Sequence, residues 1–201
     1  MPRVLTDSDV ADFRERLCGV AEKLFAEHGP DGVTMRQLAA ELGVSPMTPY
    51  RYFKDKEAIL AAVRAGAFNR FAEALEEAFA GETEPLAKLR ATAEAYVNFA
   101  LTQPNAYKLM FDLQHSSQLE YPELVAAATR ARKTLTAHVE SLIDAGMLKG
   151  DPLKIGLILW AALHGFVELQ LAGHLPADSA PELRREILGV LARGLGLTVA
   201  G

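Results

Sequence analysis

Apolar residues along this 201-residue chain recur at intervals of three and four, and β-branched alternation is absent, so almost every segment is predicted to be helical. Phe13, Leu17, Val20, Ala21, Leu24 and Phe25 form a first stripe, stopped by Gly29-Pro30-Asp31-Gly32. A second, short helix covers 34–41, with Thr34 as N-cap, Gln37 completing a capping box and Gly43 as the left-handed stop. Ser45 and Pro46 predict the start of a third short helix. A long fourth helix runs from near Asp55 to Gly81, with Ile59, Val63, Phe68, Phe71, Leu75 and Phe79 on its apolar face. Five more follow: about Pro85 to Gln103; a short one after Pro104; Tyr121-Pro122 to Gly146; Asp151-Pro152 to near Gly173; and one from a capping cluster at 178–181 to near Gly194. The expected fold is all-α: three compact helices in a domain at 1–60, joined by the long helix to a helical bundle at 61–201.

Residues 34–51 then read as two helices of about two turns each, joined by a tight turn at Gly43-Val44, which is a helix-turn-helix. In such a pair the second helix lies in the major groove and the first crosses the DNA backbone. Leu38, Ala39, Leu42 and Val44 would lock the angle, Ala39 being small enough for close approach. Ser45, Met47 and Thr48 fall at the exposed start of the second helix, where Thr48 suits a base edge or a thymine methyl and Met47 an apolar contact. Arg36 suits the edge of a guanine. Tyr50, Tyr52, Lys54 and Lys56 suit phosphate contacts, and the helix starts near Thr34 and Lys56 also favour phosphate. A plainer reading stands beside this one: Tyr52 and Phe53 as core, Lys54 and Lys56 as a solvated face.

The run Val33-Thr34-Met35-Arg36-Gln37-Leu38-Ala39-Ala40-Glu41-Leu42-Gly43-Val44-Ser45-Pro46-Met47-Thr48-Pro49-Tyr50-Arg51-Tyr52-Phe53-Lys54-Asp55-Lys56-Glu57-Ala58-Ile59-Leu60, with Leu24-Phe25-Ala26-Glu27-His28-Gly29 before it, resembles the DNA-binding domain of the TetR family. The resemblance covers residues 13 to 60. It implies that Arg36, Thr48 and Tyr50 sit where family members touch bases or nearby backbone, and that Thr34, Tyr52 and Lys56 sit at phosphates. Pro49 departs from the family's usual aliphatic residue. It has no N–H for the Ser45 carbonyl, and its ring is expected to widen the first turn and re-aim Met47 and Thr48.

Residues 61–201 hold most of the large aromatic and sulfur-bearing side chains. Phe68, Phe71, Tyr96, Phe99, Tyr107, Met110, Phe111 and Trp160, with His164, are candidates for lining an effector pocket, and His138 is a further polar candidate. The competing reading is an ordinary core. The segment from Ile155 to Leu171 is apolar almost all round and so must be covered on more than one side. Leu159, Phe166 and Val167 there, with Leu183, Ile187 and Leu191 in the last helix, are candidates for a homodimer interface, a four-helix bundle about a two-fold axis. Trp160-Ala161-Ala162-Leu163-His164-Gly165-Phe166, together with 105–111, resembles the C-terminal domain of one TetR subgroup carrying a Trp and a His-Gly pair. In that pair close helix packing competes with effector contact.

Charge sharpens the picture. The chain carries −5 overall, yet 34–64 holds five bases (Arg36, Arg51, Lys54, Lys56, Arg64) against three acids (Glu41, Asp55, Glu57), a basic segment on an acidic body. A single cysteine, Cys18, permits no internal disulfide and fits a reducing cytoplasm. The N-terminus lacks a signal peptide's apolar core. The least charged stretch, 155–167, falls short of a bilayer span, so no membrane role is expected. The histidines (28, 115, 138, 164, 174) show no metal-ligand spacing, and no phosphate loop or nucleophile elbow occurs, so neither cofactor, metal nor catalysis is expected. The reading is a cytoplasmic, homodimeric transcriptional regulator, most simply a repressor, released from a palindromic operator in double-stranded DNA by a small hydrophobic or amphipathic effector. Activator action stays open. An all-helical ligand carrier or enzyme, or a protein-interaction module, are the rival classes.

Overall fold

A computed structural model describes residues 6–111, 121–176 and 178–197; residues 1–5 and His115, considered above, lie outside them. Among the described residues it contains eight α-helices and one 3-10 turn. They are α1 (Asp7–His28), α2 (Met35–Glu41), the 3-10 turn Pro49–Arg51, α3 (Lys56–Ala80), α4 (Pro85–Thr102), α5 (Pro104–Met110), α6 (Pro122–Asp144), α7 (Pro152–Leu171) and α8 (Ala180–Gly194).

Helix α1 begins before the apolar stripe does, because a capping box starts it. The Asp9 N–H donates to Thr6 Oγ1 at 3.1 Å and the Thr6 N–H to Asp9 Oδ2 at 2.9 Å. The box predicted at α2 is present: the Gln37 N–H donates to Thr34 Oγ1 at 3.2 Å and the Thr34 N–H to Gln37 Oε1 at 2.8 Å. At its far end Gly43 has φ +66°, and the Val44 and Gly43 N–H groups return to the Ala39 and Ala40 carbonyls, both at 3.0 Å, which closes a Schellman motif. Asp55 Oδ1 accepts from the Ala58 N–H at 2.8 Å and opens α3, and Asp151 accepts from the Leu153 and Lys154 N–H groups ahead of Pro152.

One expected start and one expected side-chain cap are corrected. No α-helix opens at Ser45-Pro46: 46–48 turn, and only Pro49–Arg51 coil, as 3-10. Pro46 and Pro49 remove two N–H groups within four residues, so the Ser45 carbonyl takes the Thr48 N–H at 2.9 Å instead. At 178–181 the cluster supplies no side-chain cap, since the Ser179 hydroxyl donates to the Pro176 carbonyl.

Contacts among the described residues form two compact units, one within Met1–Phe68 and Asn105–Ala128, the other within Asn69–Pro104 and Thr129–Gly201. Helix α3 passes through the boundary. The first unit's core joins Leu17, Ala21 and Phe25 of α1, Leu38 of α2, Phe53, and Ile59, Leu60 and Val63 of α3. In the second unit α7 packs on α4 and α8, and Val139, Leu142, Leu148, Ile155 and Leu159 form a core. Gly156 brings α7 onto α6: a Cβ there would fall well inside van der Waals contact with the Leu135 carbonyl oxygen. Helix α7 is 20 residues long, long and apolar enough by itself to cross a membrane. The expectation that its length excludes a span is therefore corrected; its packing on α4 and α8 is what makes it a core helix.

Candidate nucleic-acid interface and buried cavity

Leu38 and Ala39 are fully buried, and Pro49 is buried too, so its ring serves as an apolar anchor for the turn after α2. Its carbonyl accepts from both the Tyr52 and Phe53 N–H groups, at 3.0 Å each, which fixes the exit from the 3-10 turn. The side chains on the other side face solvent. Met47 is 69% exposed and Tyr50 48%, while Thr34, Arg36 and Ser45 are exposed and Thr48 is half-buried. Arg36 makes no hydrogen bond or ion pair among the described residues. The Ser45 and Thr48 hydroxyls lie 3.1 Å apart, so one orients the other.

Two of the predicted contact residues have structural duties. Tyr52 stacks on Phe13 with ring centroids 4.2 Å apart, and its carbonyl accepts from Arg14 Nη1 at 2.7 Å. Lys56 Nζ donates to the Pro30 carbonyl at 2.6 Å, tying the α1–α2 connection to the start of α3. The basic segment is also weaker at the surface than its sequence count: Arg64 is only 2% exposed, and its Nη2 donates to the Met110 carbonyl at 3.2 Å. What remains fully outside is Arg36, Arg51 and Lys54.

The second unit encloses a cavity of about 30 Å³, room for one or two water molecules. Leu75, Leu89, Leu135, Leu159, Leu163 and Leu188 line it together with Thr92, Tyr96, Thr134, His138 and Trp160, and the wall they present is almost wholly apolar. Trp160 Nε1 donates to Tyr96 Oη at 3.1 Å, and Tyr96 Oη lies 3.4 Å from His164 Nδ1. Burial pushes the His138 pKa down to about 4, so its ring is neutral at pH 7, and its Nδ1 lies 3.2 Å from the Thr134 carbonyl. Thr92 Oγ1 is buried without a hydrogen-bond partner.

Of the predicted pocket residues, Tyr96 and Trp160 reach this cavity. Phe71 packs edge-to-face on Tyr96 and Phe99, at 5.4 and 5.3 Å. His164 stands behind Tyr96. Phe68, Tyr107, Met110 and Phe111 fall in the first unit, where Phe111 packs edge-on against Phe68 and Tyr107. Thr92 and Thr134 are not among the residues that the apolar pattern singles out. A signal exists all the same: Thr92–Tyr96 and Thr134–His138 are i, i+4 pairs that put polar atoms on otherwise apolar helix stripes.

Of the predicted interface residues, Leu159, Phe166 and Val167 are buried within the chain itself, and Leu191 packs against its core. Leu183 and Ile187 are half-buried. The large apolar side chains that α7 and α8 leave outside are Leu153, Leu157, Ile158, Leu169 and Val190, beside charged ones such as Lys154, Glu168, Arg185 and Glu186. Ala161 and Gly165 share that outer face of α7, and among the described residues nothing beyond its own stretch of helix lies within 4 Å of a Cβ built on Gly165, so this glycine serves no close packing among them.

Residues 18–63 match the bacterial regulatory proteins of the tetR family, and residues 89–190 match the tetracyclin repressor-like C-terminal domain. HTH-type transcriptional regulators of Staphylococcus aureus are 44% identical over 48 residues, which is 24% of this chain and 26% of each relative. A protein of unknown function from Rhodococcus sp. RHA1 superposes with a TM-score of 0.81 at 30% identity, covering 98% of this chain and 99% of that one. The regulator FadR from Bacillus subtilis, in complex with stearoyl-CoA, superposes with a TM-score of 0.75 at 19% identity, covering 92% and 99%.

Proposed function

Because the chain belongs to the TetR family of bacterial regulators, a non-enzymatic family, we propose that it is a homodimeric transcriptional repressor that a small effector releases from a palindromic operator. The observation that carries the DNA-binding half is the outward set on the α2–turn unit: Arg36, Met47, Thr48 and Tyr50 around a buried Pro49. Arg36 is the base-reading candidate, and Tyr50 and the helix start at Thr34 bind phosphate. Tyr52 and Lys56 act mainly by holding this surface in place.

The dimer face we propose is the outer side of α7 and α8, at Leu157, Ile158, Ala161, Gly165, Leu169 and Val190. It replaces Leu159, Phe166 and Val167, which the chain already buries. Exposed leucines flanking an alanine and a glycine let a second α7 approach closely, and an isologous pairing would set two recognition turns about 34 Å apart on DNA. The subgroup with a Trp and a His-Gly pair fits this assignment, Trp160 facing inward and Gly165 outward.

The effector enters the second unit at the Tyr96–Trp160 cavity. The Bacillus subtilis neighbour's stearoyl-CoA supports an apolar or amphipathic ligand. Helix α3 supplies Leu75 to the cavity and Ile59, Leu60 and Val63 to the first unit's core. A ligand that binds unequally to two positions of α3 therefore shifts the DNA-binding unit.

Selection of bound sequences from random duplex DNA tests this, with Arg36→Ala and Thr48→Ala as controls. The expected result is a palindrome with half-sites about one turn apart, lost in the controls. No enrichment from wild type at low salt would sink the regulator reading.

A further inference from the structure

From Leu42 to Tyr50 the chain holds no charged and no amide side chain. The recognition turn therefore lacks arginine and lysine, which suit guanine, asparagine and glutamine, which suit adenine, and the carboxylates that suit cytosine. Its hydroxyls are partly committed: those of Ser45 and Thr48 lie 3.1 Å apart, so one donates to the other, and Thr48 is half-buried. What the turn does present is apolar. Pro46 is exposed, and Met47, at 69%, is the most exposed large hydrophobic side chain among the described residues. The others, apart from Tyr50 and Leu101, lie on α7 and α8. The backbone beneath Met47 is braced. Prolines stand on both sides of it, Pro49 is buried, and the Thr48 N–H donates to the Ser45 carbonyl at 2.9 Å. A side chain on such a turn has little backbone freedom left to lose when it docks.

We propose that Met47 is a specificity-determining residue that reads the C5-methyl group of a thymine in each operator half-site. The inference rests on the DNA-binding reading above and names base chemistry that the reading leaves open. Among the groups that base pairs present in the major groove, the thymine methyl is the apolar one. A thioether side chain meets it without leaving a base donor or acceptor buried and unpaired, which contact with any other base edge would do. Burying the methyl against Met47 removes about one methylene's worth of apolar surface from water, which corresponds to about fourfold in affinity per half-site. 5-Methylcytosine carries the same group at the same place in the groove, so the contact accepts it too. Arg36 and Met47 thus read by different means, the first through hydrogen bonds of a cation and the second through apolar contact alone.

The test takes the operator selected by the full-length protein and replaces each thymine in turn by deoxyuridine, which removes only the methyl group. One position per half-site is expected to lose about fourfold in affinity with wild type and nothing with Met47→Ala. At that position 5-methylcytosine paired with guanine should bind about fourfold more tightly than cytosine paired with guanine, which separates the methyl from changes in pairing and groove shape. Met47→Ala should leave the thermal midpoint where it is, because the side chain is exposed. It should also leave the salt dependence of binding unchanged, whereas losing a phosphate contact lowers that slope by about 1. Met47→Leu, which keeps an apolar reach, should recover at least about twofold of the discrimination between thymine and uracil. The proposal is overturned if no thymine responds, or if Met47→Ala keeps the wild-type response. It is also overturned if the methyl on cytosine brings no gain, or if Met47→Ala alters the salt slope instead. An operator that is selected but indifferent to its methyl groups leaves the regulator reading standing and removes this inference alone. Failure of wild type to select any DNA removes both.

Discussion

The turn after α2 and the cavity between α4, α6 and α7 are built by opposite means. The first is local: a capping box, a Schellman glycine and a buried proline lie within 34–49 and fix each other through bonds spanning at most five residues. The second is assembled from Leu75, Thr92, His138 and Trp160, which belong to four different helices. A local device tolerates change elsewhere in the chain, whereas an assembled one depends on every helix keeping its place.

The largest expected effect comes from breaking the assembled region at its tightest point. Gly156→Ala puts a methyl against the Leu135 backbone. Neither α6 nor α7 can give way there without disturbing the core that Val139, Leu142 and Ile155 share. The expected cost is about 3 kcal/mol, read as a fall in the urea midpoint. An unchanged midpoint would mean that α7 rides on α6 more loosely than the Gly156–Leu135 approach requires.

Next comes Arg36→Ala, which acts on the local region from outside. Arg36 is exposed and bonded to nothing among the described residues, so the thermal midpoint should not move. Operator affinity should fall by about 2 kcal/mol, roughly thirtyfold, if the guanidinium reads a base. A uniform loss across all DNA sequences would make it a phosphate contact instead.

The same contrast explains what is legible in the sequence. Thr34, Gln37 and Gly43 announce α2 because caps and stops are written in neighbouring residues. The 3-10 turn is harder to foresee: Pro46 alone suits a helix start, and only its conflict with Pro49 three residues on prevents one. At α1 the stripe hides a start that Thr6 and Asp9 define. In the bundle, the apolar character of α7 is plain, but which face points inward depends on α4, α6 and α8 together. Leu159, Phe166 and Val167 therefore cannot be told from Leu157, Ile158 and Leu169 by pattern alone. For the same reason Phe68 and Tyr107 read as equals of Tyr96 and Trp160, although they belong to the other unit.

Acid should separate the two regions without any mutation. Burial lowers the His138 pKa from 6.5 to about 4, so the unfolded chain takes up a proton that the folded chain resists. The stability this contributes is full above pH 6.5 and is lost as pH falls towards 4. By about pH 5 the loss is roughly 2 kcal/mol. His138→Leu should flatten that part of the stability–pH curve, and the difference between the two curves isolates the imidazole from the carboxylates that titrate in both. Identical slopes would show that His138 is not buried as described.

The smallest effect tests the local device itself. Gly43 sits at φ +66°, where a Cβ meets nothing within 4 Å among the described residues beyond its own chain neighbours, so replacement strains the backbone without crowding them. Gly43→Ala should cost about 1 kcal/mol, and Gly43→Asn less, since asparagine tolerates the left-handed region. Steric conflict would rank the two the other way, because asparagine is larger. The ranking, measured by urea unfolding, therefore separates conformational strain from packing. If the Schellman closure sets the angle between α2 and the recognition turn, Gly43→Ala should also weaken operator binding by more than its stability cost accounts for, while Gly43→Asn largely restores it. Equal stability with equal binding in both variants would mean that buried Pro49, and not the glycine, holds the turn.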